Sequence, residues 1–339
     1  MPIAPPSAPA PATAMPDPVA HGSRGGHQLI VMPDDTIRPI VEAIDSARRS
    51  MELCMFVLEH KLLLRALVAA RTRGVHVRVM LNLHHRNGQA QNLEAFELLR
   101  GAGVQVRGCH PRFELTHQKS LVIDHRLAFV QSMNWDAHLQ HRTRDYAVVT
   151  QDAQEIDEIV AGFDADWNQV IFEPRSDSRL IWCPDNGRSR LTAFIDAATR
   201  SLWVQNERYQ DEVIIERLVR AHLRGVDVHI LTGRLHTLRV GQLNEALGGL
   251  RILQDVGIKV HIAKHIRLHA KMMLADSARA IVGSINLSPG SFNHRRELAI
   301  ETHEVHAVAR LERIASKDWA HSKRFDCTRK NSLDGAIDT

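Results

Sequence analysis

The chain of 339 residues carries one polar pattern twice. The first copy, "HQKSLVID", runs from His117 to Asp124, and the second, "HAKMMLAD", runs from His269 to Asp276. The same separation of 152 residues relates further positions downstream without a gap, namely Ser132 with Ser284, Asn134 with Asn286, Arg144 with Arg296, Asp145 with Glu297 and Trp167 with Trp319. Self-similarity at a fixed separation indicates a duplicated structural unit.

The segments before each motif repeat as well, at a separation of 151 residues. "MPDDTIRPIVEAIDSARRS" corresponds to "CPDNGRSRLTAFIDAATRS", and "ALVAARTRGVHVRVML" corresponds to "RLVRAHLRGVDVHILT". We therefore predict two homologous halves fused in tandem, with a polar, proline-containing seam near 172–179. The predicted divisions are a flexible Pro/Ala-rich tail at 1–27, a first half at 28–172, a second half at 173–325 and a C-terminal tail at 326–339.

Each half alternates between helical and extended patterns. In the first half, apolar residues recur at helical spacing in 37–49, 61–74, 92–103 and 153–170, and β-rich runs occupy 51–58, 75–82, 104–108, 119–124 and 127–132. Gly74 and Gly225 follow helical segments and are expected to end them. This alternation predicts an α/β fold, with a mixed β-sheet flanked by helices in each half. We expect two tandem α/β sandwich halves that are related to each other by a pseudo-twofold axis.

Composition narrows the function only slightly. The formal net charge is +4 and the sequence pI is about 9.0, a weak positive bias that fits phosphate-bearing partners but is shared by many other proteins. The four cysteines form no CxxC pair, so we expect reduced thiols and no zinc site. The adjacent His84 and His85 diverge on a strand or loop and are not expected to bind a metal.

Two features bear on location. The sequence contains no run of about 18 apolar residues, so a membrane-spanning helix is not predicted. Residues 1–27 lack the apolar core of a secretory signal. We therefore expect a cytoplasmic or peripheral membrane protein, with secretion by another route as the alternative. Residues 233–250 mix leucine with arginine, which favours an amphipathic surface helix over a lid or a lipid-facing helix.

The repeated motif places reactive side chains on one strand face. Residues two apart on a strand point the same way, so His117 shares a face with Lys119, and His269 shares one with Lys271. The last residue of each motif lies at odd spacing from the histidine, just before a turn. We interpret these two acids as structural: Asp124 and Asp276.

Uncharged donors and acids follow each motif. The second strand of each hairpin ends in Ser and Asn, which we predict to bind phosphate with the lysines: Ser132, Asn134, Ser284 and Asn286. Eleven residues beyond each Asn comes an acid, Asp145 or Glu297. A carboxylate beside an imidazole fixes its tautomer and raises its basicity, so these acids are candidates for orienting the histidines. Four arginines lie near these acids in the sequence, and we expect them either to contact phosphate headgroups or a nucleic acid backbone or to pair with the acids: Arg142, Arg144, Arg295 and Arg296.

Bringing the two halves together would form one pocket with two histidines and two lysines. Two ammonium groups repel each other unless an anion lies between them, and a phosphodiester fits that requirement. One histidine can attack phosphorus while the other protonates the leaving oxygen, and water or an alcohol then releases the phosphohistidine. No metal or cofactor is required, because cationic side chains and amides can stabilise the five-coordinate transition state.

The paired motif resembles the signature of the phospholipase D superfamily, a repeated His-x-Lys-x4-Asp followed by Gly-Ser-x-Asn. The resemblance covers nearly all of residues 28–325 and implies two α/β sandwich halves that meet at one active site. By position it implies a nucleophile and an acid at His117 and His269, phosphate binding at Lys119, Lys271, Asn134 and Asn286, and orienting acids at Asp145 and Glu297. The family often uses the first motif as the nucleophile, which favours His117.

The first half departs from this signature. Gln131 stands where glycine is usual, and Trp135 and Asp136 follow the asparagine. A crowded first half would narrow the pocket or alter the side of the leaving group, although no required polar group is lost.

The sequence indicates the type of reaction but leaves more than one class of substrate open. We expect a phosphodiesterase acting on phospholipids, by phospholipase D-type hydrolysis or by phosphatidyl transfer. The alternative is an endonuclease of the same superfamily, although only 5% of the residues are aromatic and no stacking platform is evident. A non-catalytic phosphate-binding protein is the third interpretation. Because the two halves complete one pocket, a monomer suffices for activity.

Overall fold

A computed structural model of the chain describes residues 26–84, 90–136, 143–233 and 240–326, with only the backbone described for 240–246. Most of the two predicted tails, His85, Arg142 and much of the 233–250 segment therefore lie outside the described residues. Residues 240–250 of that segment belong to a helix, as its spacing predicts. None of the described helices combines the length and the apolar character needed to span a bilayer.

The first half contains eight strands and four helices among its described residues. The strands are Gln28–Met32 (β1), Ser50–Met55 (β2), His76–Leu81 (β3), Gln105–Gly108 (β4), Leu115–Thr116 (β5), Ser120–Ile123 (β6), Leu127–Gln131 (β7) and Thr143–Thr150 (β8). The helices are Arg38–Ser46 (α1), Lys61–Thr72 (α2), Leu93–Gly101 (α3) and Ala153–Asn168 (α4). The predicted helices and motif hairpin are confirmed, whereas β1, β5 and β8 were not predicted.

The described part of the second half repeats this order and adds one strand and one short helix. Its strands are Leu180–Cys183 (β9), Ser201–Gln205 (β10), Asp227–Thr232 (β11), Lys259–Ala263 (β12), Arg267–Leu268 (β13), Met272–Ala275 (β14), Arg279–Gly283 (β15), Arg295–Thr302 (β16) and Ser322–Arg324 (β17). Its helices are Gly187–Asp196 (α5), Glu212–Leu223 (α6), Val240–Asp255 (α7), Pro289–Asn293 (α8) and Val305–Ala320 (α9).

The two sheets have the same strand order, which confirms the predicted α/β fold of two homologous halves. The first runs β1-β8-β7-β6-β2-β3-β4, and the second runs β9-β16-β15-β14-β10-β11-β12-β17. Both are mixed: β2 and β3 are parallel, for example, and β6 and β7 antiparallel. Each half also sends a short strand into the other, since β5 pairs with β16 and β13 pairs with β8. This reciprocal exchange reflects the pseudo-twofold relation.

Apolar layers stabilise each half and the boundary between the two halves. One lies between the first sheet and α1–α3, and a matching one lies between the second sheet and α5–α7. The third lies between the two sheets and includes α4 and α9, with contributors such as Val148, Ile159, Leu298 and Leu311. Because full burial of one such side chain contributes about 1.5–3 kcal/mol, this shared layer joins the halves into one unit.

Buried ion pairs also cross between the halves. Arg144 of the first half donates to Asp318 of the second, with Nε 2.7 Å from Oδ2. Arg296 of the second half donates in the same way to Asp166 of the first, also at 2.7 Å. The two arginines therefore pair with helix aspartates of the opposite half rather than with the neighbouring acids, which leaves Asp145 and Glu297 available to other partners.

Local backbone features mark the ends of several elements. Gly74 and Gly225 have φ of +92° and +90°, as expected of glycines that end helices. The two halves differ where the first has Gln131 and the second has Gly283. Gly283 lies so close to β16 that an added Cβ would stand 2.3 Å from Cα of Ala299. Its counterpart, Gln131, is fully buried and accepts a hydrogen bond from Trp135 Nε1 at 3.1 Å. This side chain packs inside the first half, and the expected narrowing of the pocket stays a prediction.

Candidate active site

Strand exchange positions the two motif histidines. Because β5 lies beside β16, the backbone N–H of His117 donates to the carbonyl of Arg296 at 2.8 Å. Because β13 lies beside β8, the N–H of His269 donates to the carbonyl of Arg144 at 3.1 Å. Each histidine is therefore delivered to the sheet of the opposite half, next to the acid that follows the arginine.

The acids hold the histidines across the boundary between the halves. Nδ1 of His117 lies 2.8 Å from Oε2 of Glu297, and Nδ1 of His269 lies 2.8 Å from Oδ1 of Asp145. The carbonyl of Ser284 lies 3.1 Å from the same Nδ1 of His117. An Nδ1–H that donates to a carboxylate leaves Nε2 as the reactive nitrogen of the neutral ring. Acid and histidine come from different halves in both pairs, so neither half completes an orienting pair by itself.

Both motif lysines are buried beside their histidines. Nζ of Lys119 donates to the carbonyl of His117 at 2.5 Å and lies 5.1 Å from the ring centre of Phe56. Nζ of Lys271 donates to the carbonyl of His269 and, at 2.8 Å, to a carboxylate oxygen of Glu207. The backbone carbonyls fix the ammonium groups, so the lysines are in place before any phosphate arrives.

A lysine of the second motif changes the pKa values of the histidine and the lysine of the first motif. Burial lowers the pKa of His117 to about 4, against the opposing effect of Glu297, and the charges of Lys119 and Lys271 lower it further. Burial also lowers the pKa of Lys119 to about 7, and the charge of Lys271 adds to that shift. Lys271 therefore acts on both members of the first motif, as expected when both halves face one pocket.

The two serine hydroxyls are hydrogen-bonded to the strands beside them. Both are fully buried. The Ser132 hydroxyl donates to Asp145 Oδ1 at 2.6 Å and accepts from the N–H of Tyr146 at 2.8 Å. The Ser284 hydroxyl accepts from the N–H of Leu298 at 3.1 Å. These hydroxyls brace β8 and β16, and Ser132 also holds the acid beside His269. The phosphate contact of Ser132 and Ser284 stays a prediction.

The two asparagines occupy matching positions and carry the same unusual feature. Oδ1 of Asn134 and Oδ1 of Asn286 are both buried and make no hydrogen bond within the described residues. Buried polar atoms are normally paired. Because an amide oxygen only accepts hydrogen bonds and a phosphodiester offers no proton, a phosphate would bind to the Nδ2 donors of these residues rather than to Oδ1. Phosphate binding by these two amides stays a prediction.

The motif aspartates serve the scaffold. Asp124 has φ of +54° and its carboxylate accepts the backbone N–H groups of Arg49 at 2.6 Å and Ser50 at 2.9 Å. Asp276 has φ of +57° and accepts those of Arg200 at 2.7 Å and Ser201 at 2.9 Å. Each carboxylate ties the hairpin turn to the start of the neighbouring strand, β2 or β10, away from the histidines.

One charged residue at the site was missed by the sequence reasoning. Glu207 follows β10 and contacts both Lys271 and the ring of His269, whose Nε2 lies 3.8 Å from its Oε2. Its counterpart 151 residues earlier is Phe56. The repeat points only to residues that both copies share, and Glu207 occurs in one copy. Among the described residues, no cluster of three or more His, Cys, Asp and Glu side chains could hold a metal ion.

Comparison with known families identifies the duplicated unit. The family model described as "Cardiolipin synthase, PLD-like domain" matches residues 40–167 and again residues 191–319. The chain belongs to this phospholipase D-like family. Cardiolipin synthase A of Pseudomonas aeruginosa is 25% identical in an alignment 344 residues long, gaps included. The alignment covers 88% of this chain and 68% of the relative. The mitochondrial cardiolipin hydrolase of Homo sapiens is 29% identical over 136 residues, or 40% of this chain and 52% of the relative.

Solved structures of phospholipase D-like shape show the same fold. Phosphatidylserine synthase of Haemophilus influenzae aligns with a TM-score of 0.72 at 12% identity, over 88% of this chain and 87% of its own. Polyphosphate kinase of Porphyromonas gingivalis aligns with a TM-score of 0.68 at 18% identity, over 88% of this chain and 48% of its own. At these identities the likeness concerns the fold alone, and chemistry has to be argued from the residues.

Proposed function

We propose that this protein is a phosphodiesterase that acts on phospholipids, through a phosphohistidine intermediate that is released to water or to an alcohol. The observation that carries the proposal is the crossed pairing of His117 with Glu297 and of His269 with Asp145. Two oriented imidazoles, each with a buried lysine beside it, are the groups that displacement at a phosphodiester requires.

The reaction has two balanced steps. In the first, Nε2 of one histidine forms a bond to phosphorus while the bond to the leaving oxygen breaks, and the other histidine gives that oxygen a proton. In the second, the other histidine takes a proton from water or an alcohol, whose oxygen displaces the histidine from phosphorus. Lys119 and Lys271 would bind the non-bridging oxygens, with Asn134 and Asn286 as further donors, and stabilise the charge of each transition state.

The names of the relatives favour a lipid substrate. The family is described by cardiolipin synthase, and the curated relatives include a synthase and a hydrolase of cardiolipin. Synthesis and hydrolysis share the phosphatidyl-enzyme and differ only in the acceptor that reaches it. A phospholipid substrate also implies contact with a membrane surface.

The substrate class is tested with three substrates in parallel. Purified protein is incubated with phosphatidylglycerol vesicles, phosphatidylcholine vesicles and supercoiled plasmid, and products are identified by mass spectrometry and gel electrophoresis. We expect phosphatidic acid or a transfer product such as cardiolipin from at least one lipid. Plasmid cleavage with both lipids untouched would support the endonuclease instead, and no turnover of any substrate would support a phosphate-binding protein.

Activity is expected to be greatest between about pH 4 and about pH 7. With the pKa of His117 at about 4, protonation removes the attacking lone pair as the pH falls through that value. With the pKa of Lys119 at about 7, a phosphate-binding charge is lost as the pH rises through that value. The kcat/KM profile of a soluble phosphodiester reports these groups in the free enzyme. A maximum above pH 8 would contradict this assignment.

A further inference from the structure

The strand that leads into His117 is bound along one edge to the opposite half. β5 pairs with β16, and the backbone N–H groups of His117 and Gln118 both donate to the carbonyl of Arg296, at 2.8 and 3.0 Å. The ring is held from the same side, since its Nδ1 lies 2.8 Å from Oε2 of Glu297. These contacts fix His117 to the second half, and its position relative to the first half depends on other contacts.

A buried asparagine connects β5 to the first half. Asn82 directly follows β3, and its Oδ1 accepts the backbone N–H of Thr116 at 3.1 Å. Thr116 is the residue before His117, and both Asn82 and Thr116 are buried. Because a buried N–H without a partner is costly, this hydrogen bond fixes the distance between β5 and the end of β3.

A second asparagine holds Asn82 together with the residue that packs on the His117 ring. Asn92 directly precedes α3, and its Nδ2 donates to the carbonyls of Asn82 and Phe56, both at 2.8 Å. Its Oδ1 accepts the N–H of Leu58 at 2.9 Å. The ring of Phe56 meets the ring of His117 edge-on, with centroids 4.8 Å apart. One amide therefore connects the chain after β2 with the chain after β3.

The conformation of Asn92 fits a fixed place in this network. Its φ is +58°, a left-handed conformation that asparagine adopts more readily than most residues with a Cβ. Nδ2 of Asn82 donates to the carbonyl of His84 at 2.6 Å and to the side-chain oxygen of Gln91 at 3.1 Å. Asn82, Gln91 and Asn92 are all buried. A buried network with these bonds made holds its members in one arrangement.

The second half is built differently at this position. The counterpart of Asn82 is Gly233, 151 residues later, and the counterpart of Thr116 is Leu268, which precedes His269. Glycine has no side chain with which to accept an N–H. A Cβ added at Gly233 would stand 3.1 Å from the carbonyl oxygen of Leu268. Loss of the Asn82 amide should therefore affect His117 and not His269.

We propose that Asn82 and Asn92 are positioning residues that hold the His117 imidazole at the reacting phosphorus. The inference rests on the proposed function and is the same whichever chemical role His117 takes. The two amides act through the N–H of Thr116 and the carbonyl of Phe56, so they set the place of the ring without exchanging a proton or forming a bond. A displacement of about 1 Å in a reacting group can lower a rate by about 10²-fold, and the expected effect is therefore on kcat.

Two glycine variants test the proposal. Asn92→Gly accommodates the positive φ and removes only the amide, and Asn82→Gly copies the residue of the second half. On short-chain phosphatidylglycerol and phosphatidylcholine, we expect each variant to lower kcat by about 10- to 10²-fold and to change KM by less than about threefold. Wild-type kcat in both variants, or a change in KM alone, would overturn the proposal.

Imidazole ¹⁵N spectra give a readout that does not depend on turnover. Asn82→Gly and Asn92→Gly should move the ring signals of His117 and leave those of His269 in place. Equal changes at both histidines would indicate a general loosening of the fold and would overturn the proposal. If the wild type converted neither lipid, the proposed function would fail, and this inference with it.

A double substitution separates positioning from general destabilisation. Glu297 holds the same ring from the opposite half. When Glu297 is already replaced with Gln, we expect Asn92→Gly to lower kcat by less than about threefold, because residues that act on one group have non-additive effects. The same factor in both backgrounds would show that the amide acts independently of the ring, against the proposal.

The matched control is Gln254→Ala. Nε2 of Gln254 donates to the backbone carbonyl of Phe325 at 2.7 Å, next to the edge strand β17. The substitution removes a comparable bond between a side-chain amide and the backbone, and we expect it to change neither kcat nor the His117 signals. A loss of kcat equal to that of the asparagine variants would contradict a specific role for Asn82 and Asn92.

Discussion

Replacement of His117 with Ala is expected to abolish turnover, lowering kcat by about 10⁴-fold or more. The reason is that the covalent step cannot start without the proposed nucleophile. Replacement of His269 with Ala should have an effect of similar size on a substrate with an alkyl leaving group, since the departing oxygen would leave unprotonated. The measurement is single-turnover kinetics on whichever substrate the wild type converts.

A matched control is available in the same half. His76 lies at the exposed start of β3, and His76→Ala should leave the rate unchanged. Circular dichroism spectra that coincide with the wild type would show that the catalytic variants are folded. Turnover that survives in both His117→Ala and His269→Ala would show that neither imidazole takes part in the chemistry.

The second large effect is expected at the orienting acids. Glu297→Gln should lower kcat by about 10³- to 10⁴-fold, since an amide in place of the carboxylate favours the wrong tautomer of His117 and no longer stabilises its positive charge. Asp145→Asn should act in the same way on His269. Each substitution therefore damages the histidine of the opposite half.

Imidazole ¹⁵N spectra check this crossed relation directly. Glu297→Gln is expected to move the ring signals of His117 and to leave those of His269 in place, and Asp145→Asn is expected to do the reverse. Asp157→Asn, an exposed substitution on α4, serves as the control and should move neither. Changes confined to the histidine of the same half would contradict the crossed pairing.

Much of the fold follows from local sequence patterns. The helices α1 to α4 and the motif hairpins were predicted because their apolar residues recur at the period of a single element. By contrast, β8 is buried on both faces almost throughout, so its sequence, "TRDYAVVT", lacks the alternation that identifies a half-exposed strand. The two-residue strand β5 exists only because β16 of the other half lies beside it, and no local pattern could indicate it.

The site shows the same division between local and long-range information. The histidines, lysines and acids were found because they occur in both copies of the repeat. The partner of each acid was not predictable, since the pairs join residues 180 and 124 positions apart. Ser132 was assigned to phosphate because a hydroxyl can bind one, but its direction depends on the neighbouring strand β8. Glu207 was missed because it occurs in one copy only.

The central claim is that two imidazoles from different halves flank one phosphorus atom. A crystal structure of the protein with vanadate, which adopts five-coordinate geometry, tests that claim most directly. We predict one vanadate per chain, bound between Nε2 of His117 and Nε2 of His269, with Nζ of Lys119 and Nζ of Lys271 on its oxygens. Two vanadates, each held by the histidine of one half alone, would contradict it.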